Sequence, residues 1–177
     1  MLTIGTVQGL RTKAVEKKFF KCSSIYFEAI YLLLAYSICL ANMASKKVGQ
    51  HPSLASEMSL NEAVDLYCRA AGVCFYLARG WAPRWNDAAS KNKPPECTVT
   101  ALNALAEFFL AEAQLLGTFK AEKRGMSAST LMKLQRCTAE KFCQIRIKLG
   151  NARSSTGELS DIFLAYIKEG AELIEAL

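Results

Sequence analysis

The chain has 177 residues, of which 51% are hydrophobic and 21% charged, with only four prolines and ten glycines. That composition excludes a disordered, collagen-like or loop-dominated polypeptide, and the length is enough for one domain with a core of its own. The net charge of +6 is unevenly placed. Arg11, Lys13, Lys17, Lys18, Lys21, Lys46 and Lys47 face only Glu16 and Glu28 within the same stretch, whereas the rest of the chain is nearly balanced.

Residues 1–22 read as a basic N-terminal arm, and residues 23–177 as a helical domain. The apolar run begins only near Ile25, too far behind the first residues for the core of an export signal. Residues 25–44, IYFEAIYLLLAYSICLANMA, are the most hydrophobic segment. The stretch after Glu28 falls short of the ~20 residues that span a bilayer, so a core helix, apolar on all sides, is expected. A polar link with Gly49 and Pro52 follows. Ser59-Leu60-Asn61-Glu62 then has the form of a capping box, and Leu60, Ala63, Val64, Tyr67, Ala71, Cys74 and Leu77 recur at helical spacing. Gly80 and Pro83 end that helix, and residues 81–97 read as a long ordered loop.

The next helix is predicted over Val99–Lys123, with two apolar stripes that imply neighbours on both sides. Gly125 ends it, and Ser127 or Ser129 can cap its successor. That successor carries Leu131, Leu134, Thr138, Phe142, Ile145 and Leu149 on one side and is expected to close at Gly150. Ser155-Thr156-Gly157-Glu158 reads as a second capping box, opening a last helix through Leu159, Ile162, Phe163, Tyr166, Ile167 and Ile174. No period-2 strand stands out. The fold class is all-α: four to five long helices in an antiparallel stack resembling a tetratricopeptide-like solenoid, without a fixed 34-residue period.

Little in the chain invites catalysis. The seven cysteines form no Cys-x-x-Cys pair, several lie in apolar helical stretches, and zinc-ligand spacings are absent, which implies reduced thiols in a cytoplasmic protein and no metal or cofactor. His51, the only histidine, precedes Pro52 in a turn without a structured neighbour to hold it as a base. No Gly-rich phosphate loop appears. The expectation is a protein that is not an enzyme. Nucleic acid is not an expected partner, because the basic residues lack a binding fold and interleaved aromatics. The basic arm leaves an anionic membrane surface as a partner, at ~1 kcal/mol per basic group.

Two stretches carry a resemblance. EAVDLYCRAAGVCFYLA at residues 62–78, with Ala70-Ala71-Gly72 and Tyr76-Leu77, resembles a helix of the BRO-domain family, the boomerang-shaped helical module of Alix, rhophilins and Brox-like proteins. Leu102–Leu134 is similar to the family's succeeding helix pair, through Leu110-Ala111-Glu112-Ala113-Gln114, Lys120-Ala121 and Lys133-Leu134. The resemblance spans residues 24–149, with small residues such as Ala71, Gly72, Ala111 and Ala113 letting helices approach closely. It implies a non-enzymatic adaptor or scaffold in endosomal sorting, cytoplasmic and associated with endosomes. Its partner would be an amphipathic helix of an ESCRT-III subunit, held helix-in-groove. The implied partner-helix residues are Leu134, Thr130, Leu131 and Gly117. Leu134 matches a patch residue; Thr130 stands where an aliphatic is usual and Gly117 where a bulky aromatic is common. The complete module is roughly twice this length and includes a small sheet before the helices, so the chain is expected to be a partial member. Two alternatives stand beside this: a helical peptide-binding scaffold without ESCRT-III recognition, and a membrane-associated helical protein.

Overall fold

A computed structural model describes residues 24–85 and 94–156, with side chains through Leu149. The described residues are all-helical. Four long helices, α1 (Ile25–Val48), α2 (Glu57–Tyr76), α3 (Val99–Lys123) and α4 (Ala128–Thr156), pack each on the next in chain order. The basic arm and the expected last helix lie outside the described residues, as does the middle of the loop between α2 and α3.

Side-chain ties fix the direction of each pair. Lys47 at the end of α1 pairs with Glu62 near the start of α2. Arg124, just past α3, reaches back to Glu57 at the start of α2. Lys148 of α4 meets Glu107 of α3 at 2.6 Å. Every neighbouring pair is therefore antiparallel.

The helix ends follow local chemistry. Ser56 caps α2, its hydroxyl accepting from the Ser59 amide at 3.0 Å. The helix thus starts three residues before the expected capping box: Ser59 lies inside the first turn, and Glu62 is drawn to Lys47 rather than back to a cap amide. Thr98 caps α3, accepting from the Ala101 amide at 3.2 Å. The α3–α4 turn is a Schellman arrangement, with the Gly125 amide bonded to Glu122 and the Met126 amide to Ala121. Gly125 takes φ +68°, a left-handed conformation that other residues adopt only at a cost. Ser127 caps α4 through the Thr130 amide. Contrary to expectation, α4 does not close at Gly150 but continues through Thr156, so Ser155 and Thr156 are part of this helix and not the start of another. A single glycine costs a helix ~1 kcal/mol, which flanking turns can carry.

The core grows thicker toward the middle of the stack. In α3, Leu102, Phe108, Phe109 and Leu116 are buried together with Ala101, Ala104, Ala106, Ala111 and Ala113, so both expected stripes are covered. Each such leucine or phenylalanine contributes roughly 1.5–3 kcal/mol by leaving water. Tyr67 stacks on Phe109 between α2 and α3, and Phe108 meets Phe142 edge-on at 6.0 Å between α3 and α4. One turn of π-helix, Leu77–Trp81, follows α2 and lets Ala78, Ala82 and Trp85 turn inward. Trp85 packs against Phe27 and Trp81 against Tyr26, each with ring centroids 5.9 Å apart, which anchors the start of α1.

α1 departs from its expected place. Among the described residues it is an outer helix, not the centre of the stack: Ile30, Leu34, Ser37, Leu40, Ala41 and Ala44 are buried, while Ile25, Leu32 and Met43 remain more than half exposed. Gly72 likewise does not mediate close approach. It is exposed, with nothing within 4 Å of where a Cβ would stand. Ala71, Ala111 and Ala113 are the small residues that do lie between helices.

Candidate functional site

The four candidate residues lie at one end of the α3–α4 hairpin. Gly117 sits on α3 before the Gly125 turn, and Thr130, Leu131 and Leu134 follow the turn on α4, so the antiparallel pair sets them at similar distances from it. Leu131 and Leu134 are half-buried, each retaining an accessible side. Gly117 is also partly exposed, and an added Cβ would meet nothing within 4 Å. It is an open notch in the helix surface and not a contact point.

Thr130 is exposed and committed to the cap. Its hydroxyl pairs with the Ser127 hydroxyl at 2.9 Å while its amide donates to the same oxygen. The Leu134 carbonyl accepts from the Thr138 hydroxyl at 2.9 Å, which satisfies a buried polar side chain within α4 itself. The surface at this end is shallow and apolar at Leu131 and Leu134, and polar at Thr130.

A second concavity was not foreseen. Leu33, Tyr36 and Leu40 of α1 and Gly72, Val73 and Tyr76 of α2 line an open cleft of about 360 Å³, with Arg69 at its rim. The Arg69 guanidinium donates to the Tyr36 hydroxyl at 3.5 Å. Gly72 and Tyr76 lie one turn apart, and that spacing was the available signal; a pattern shared with core positions concealed it.

Thiol and phenol chemistry runs against activation. Burial pushes the Cys74 thiol up to about 11, although a hydrogen-bonding contact with Ser37 pulls the other way. Cys68 is raised by burial and then by Asp65. Tyr31 is raised by burial first, then by Glu96, to which its hydroxyl donates at 3.4 Å. A nucleophilic thiol needs the opposite shift. Among the described residues no three His, Cys, Asp or Glu side chains gather as a metal site, and His51 is exposed.

Neither a scan against family models nor searches of curated proteins and of solved structures found a match to this chain.

Proposed function

We propose that the chain is a non-enzymatic adaptor of the BRO-domain type, cytoplasmic and acting in endosomal sorting, that holds an amphipathic helix of an ESCRT-III subunit across the α3–α4 hairpin. The observation that carries this reading is the partly accessible apolar surface of Leu131 and Leu134 on α4, in the hairpin whose other helix is open at Gly117. A half-buried leucine held by its own helix is a rigid anchor for an apolar side chain of an incoming helix. The upward-shifted thiols and the exposed lone histidine support a binding role over a catalytic one.

A second reading, a helical peptide-binding scaffold without ESCRT-III recognition, draws support from Thr130. Its hydroxyl is engaged with Ser127, so it offers the patch only a methyl where an aliphatic residue would offer a larger apolar side chain.

Calorimetric titration with a C-terminal ESCRT-III helix separates the two readings, with thermal melts run in parallel. Binding that Leu134→Asp abolishes while the helical fold persists is the expected result. Gly117→Phe combined with Thr130→Ile should tighten it by ~1–3 kcal/mol, roughly tenfold to a hundredfold. Equal binding by the wild type and Leu134→Asp, or none by the wild type, rejects the adaptor reading.

A further inference from the structure

The outward face of α1 carries a continuous apolar stripe. Ile25, Leu32, Tyr36 and Met43 are 70%, 72%, 47% and 52% exposed. At ~100° per residue these four, with the exposed Cys39, fall within about 40° of one line along the helix. The stripe runs for ~27 Å at ~1.5 Å per residue. α2 packs on a different side, through Ile30, Leu34, Ser37 and Ala41.

Charge placement shows what fits this stripe. Glu28 lies in the first turn of α1 and Lys46 in the last, both exposed, and the ion pairs among the described residues include neither. Their separation equals about five turns at ~3.6 residues each, so both flank the same edge of the stripe. A second α1 laid antiparallel, with a two-fold axis near Ser37, sets Glu28 of each copy against Lys46 of the other. The same register places Leu32 between Cys39 and Met43 of the second copy. A parallel pairing would instead put the charged edges of the two copies on opposite sides of the seam and leave Glu28 and Lys46 without opposite partners.

We infer that α1 is a self-association surface, on which two copies of this chain pair antiparallel through the stripe and close it with two reciprocal Glu28–Lys46 ion pairs. The pattern is self-complementary, as an isologous interface requires. The exposed half of a helix ~12 Å across and ~27 Å long is about 500 Å². Two copies then bury about 1,000 Å², the lower limit for a specific interface, so the dimer is weak and reversible. A bilayer fits less well. One side of α1 is taken by α2, including the Ser37 hydroxyl bonded to the Ala70 carbonyl, and the stripe's edge carries an acid as well as a base. The inference goes beyond the α3–α4 reading and uses none of its residues.

Sedimentation equilibrium of the full chain from about 1 to 200 µM tests it. A reversible monomer–dimer equilibrium is expected, weakened at least tenfold by Leu32→Glu with an unchanged helical spectrum. Glu28→Lys and Lys46→Glu should each weaken it severalfold, and the double exchange should restore it. A chain monomeric throughout overturns the inference, as does a dimer indifferent to Leu32→Glu. A double exchange that restores nothing overturns the antiparallel pairing. Flotation of an otherwise monomeric chain with phosphatidylcholine–phosphatidylserine vesicles assigns the stripe to a lipid surface instead.

Discussion

α1 and α3 are both long and apolar enough to cross a bilayer by length and composition, yet the fold uses them differently. Half of the most apolar window of α3 is buried, against 33% for α1. α3 lies between α2 and α4 and is covered on two sides, while α1 at the edge of the described stack is covered on one. Hydrophobicity along a segment therefore reports how much surface is available to bury; position in the stack decides how much of it is buried. For α3 the apolar surface is core. For α1 much of it remains free to meet something else.

The largest expected effect breaks or confirms this contrast directly. Phe109 is 4% exposed and lies against both Tyr67 and Phe108. Phe109→Ala leaves a cavity that the aromatic layer cannot close, and should cost ~3–5 kcal/mol in urea denaturation. Leu32→Ala, measured in dilute solution, should stay within ~0.5 kcal/mol of the wild type. Equal losses at the two positions would mean that α1 is as enclosed as α3.

The seam between α1 and α2 supplies the next test. The Ser37 hydroxyl donates to the Ala70 carbonyl at 2.9 Å and lies 3.1 Å from the Cys74 sulfur, all in a buried setting. Ser37→Ala should cost ~1 kcal/mol and move the thiol higher still, because the contact that lowers it is removed. The pH dependence has a definite sign. In the unfolded chain Cys74 ionises near its ordinary 9.0, and in the folded chain near about 11. Stability from this group is complete below pH 9 and falls as pH rises toward 11, by ~2–3 kcal/mol. Cys74→Ala should lack that component, so the difference between the two pH profiles isolates it. Parallel profiles would show that the thiol reaches water and that the seam is looser than its geometry.

How much of this was legible in the sequence depends on the residue. The bounds of α3 and its two covered faces followed from apolar spacing, since each stripe meets a neighbour contributed by the adjacent helix. Helix ends were less legible. Ser56 and Ser59 both satisfy the pattern of a capping serine, and only the chain's path, with Glu62 drawn toward Lys47, selects Ser56. The exposure of α1 was not legible, because a stripe covered by protein and a bare stripe have the same composition. Leu134 and Gly117 could be assigned to neighbouring elements from sequence, but not their half-burial or the open space beside the glycine, which depend on how α4 leans on α3.

The smallest effects concern two glycines eight positions apart, for which the same substitution should have opposite signs. Gly117 is inside α3 without a positive φ, and nothing stands within 4 Å of its missing Cβ. Gly117→Ala therefore reduces the freedom of the unfolded chain and adds no clash, which should stabilise by ~0.5–1 kcal/mol. Space around Gly125 is equally open, but its φ of +68° is held by the two amide bonds that end α3. Gly125→Ala must accept the left-handed conformation or give up those bonds, and should cost ~1 kcal/mol. Thermal melts of both variants check the pair. A destabilised Gly117→Ala would mean that the space beside Gly117 is filled in the folded protein.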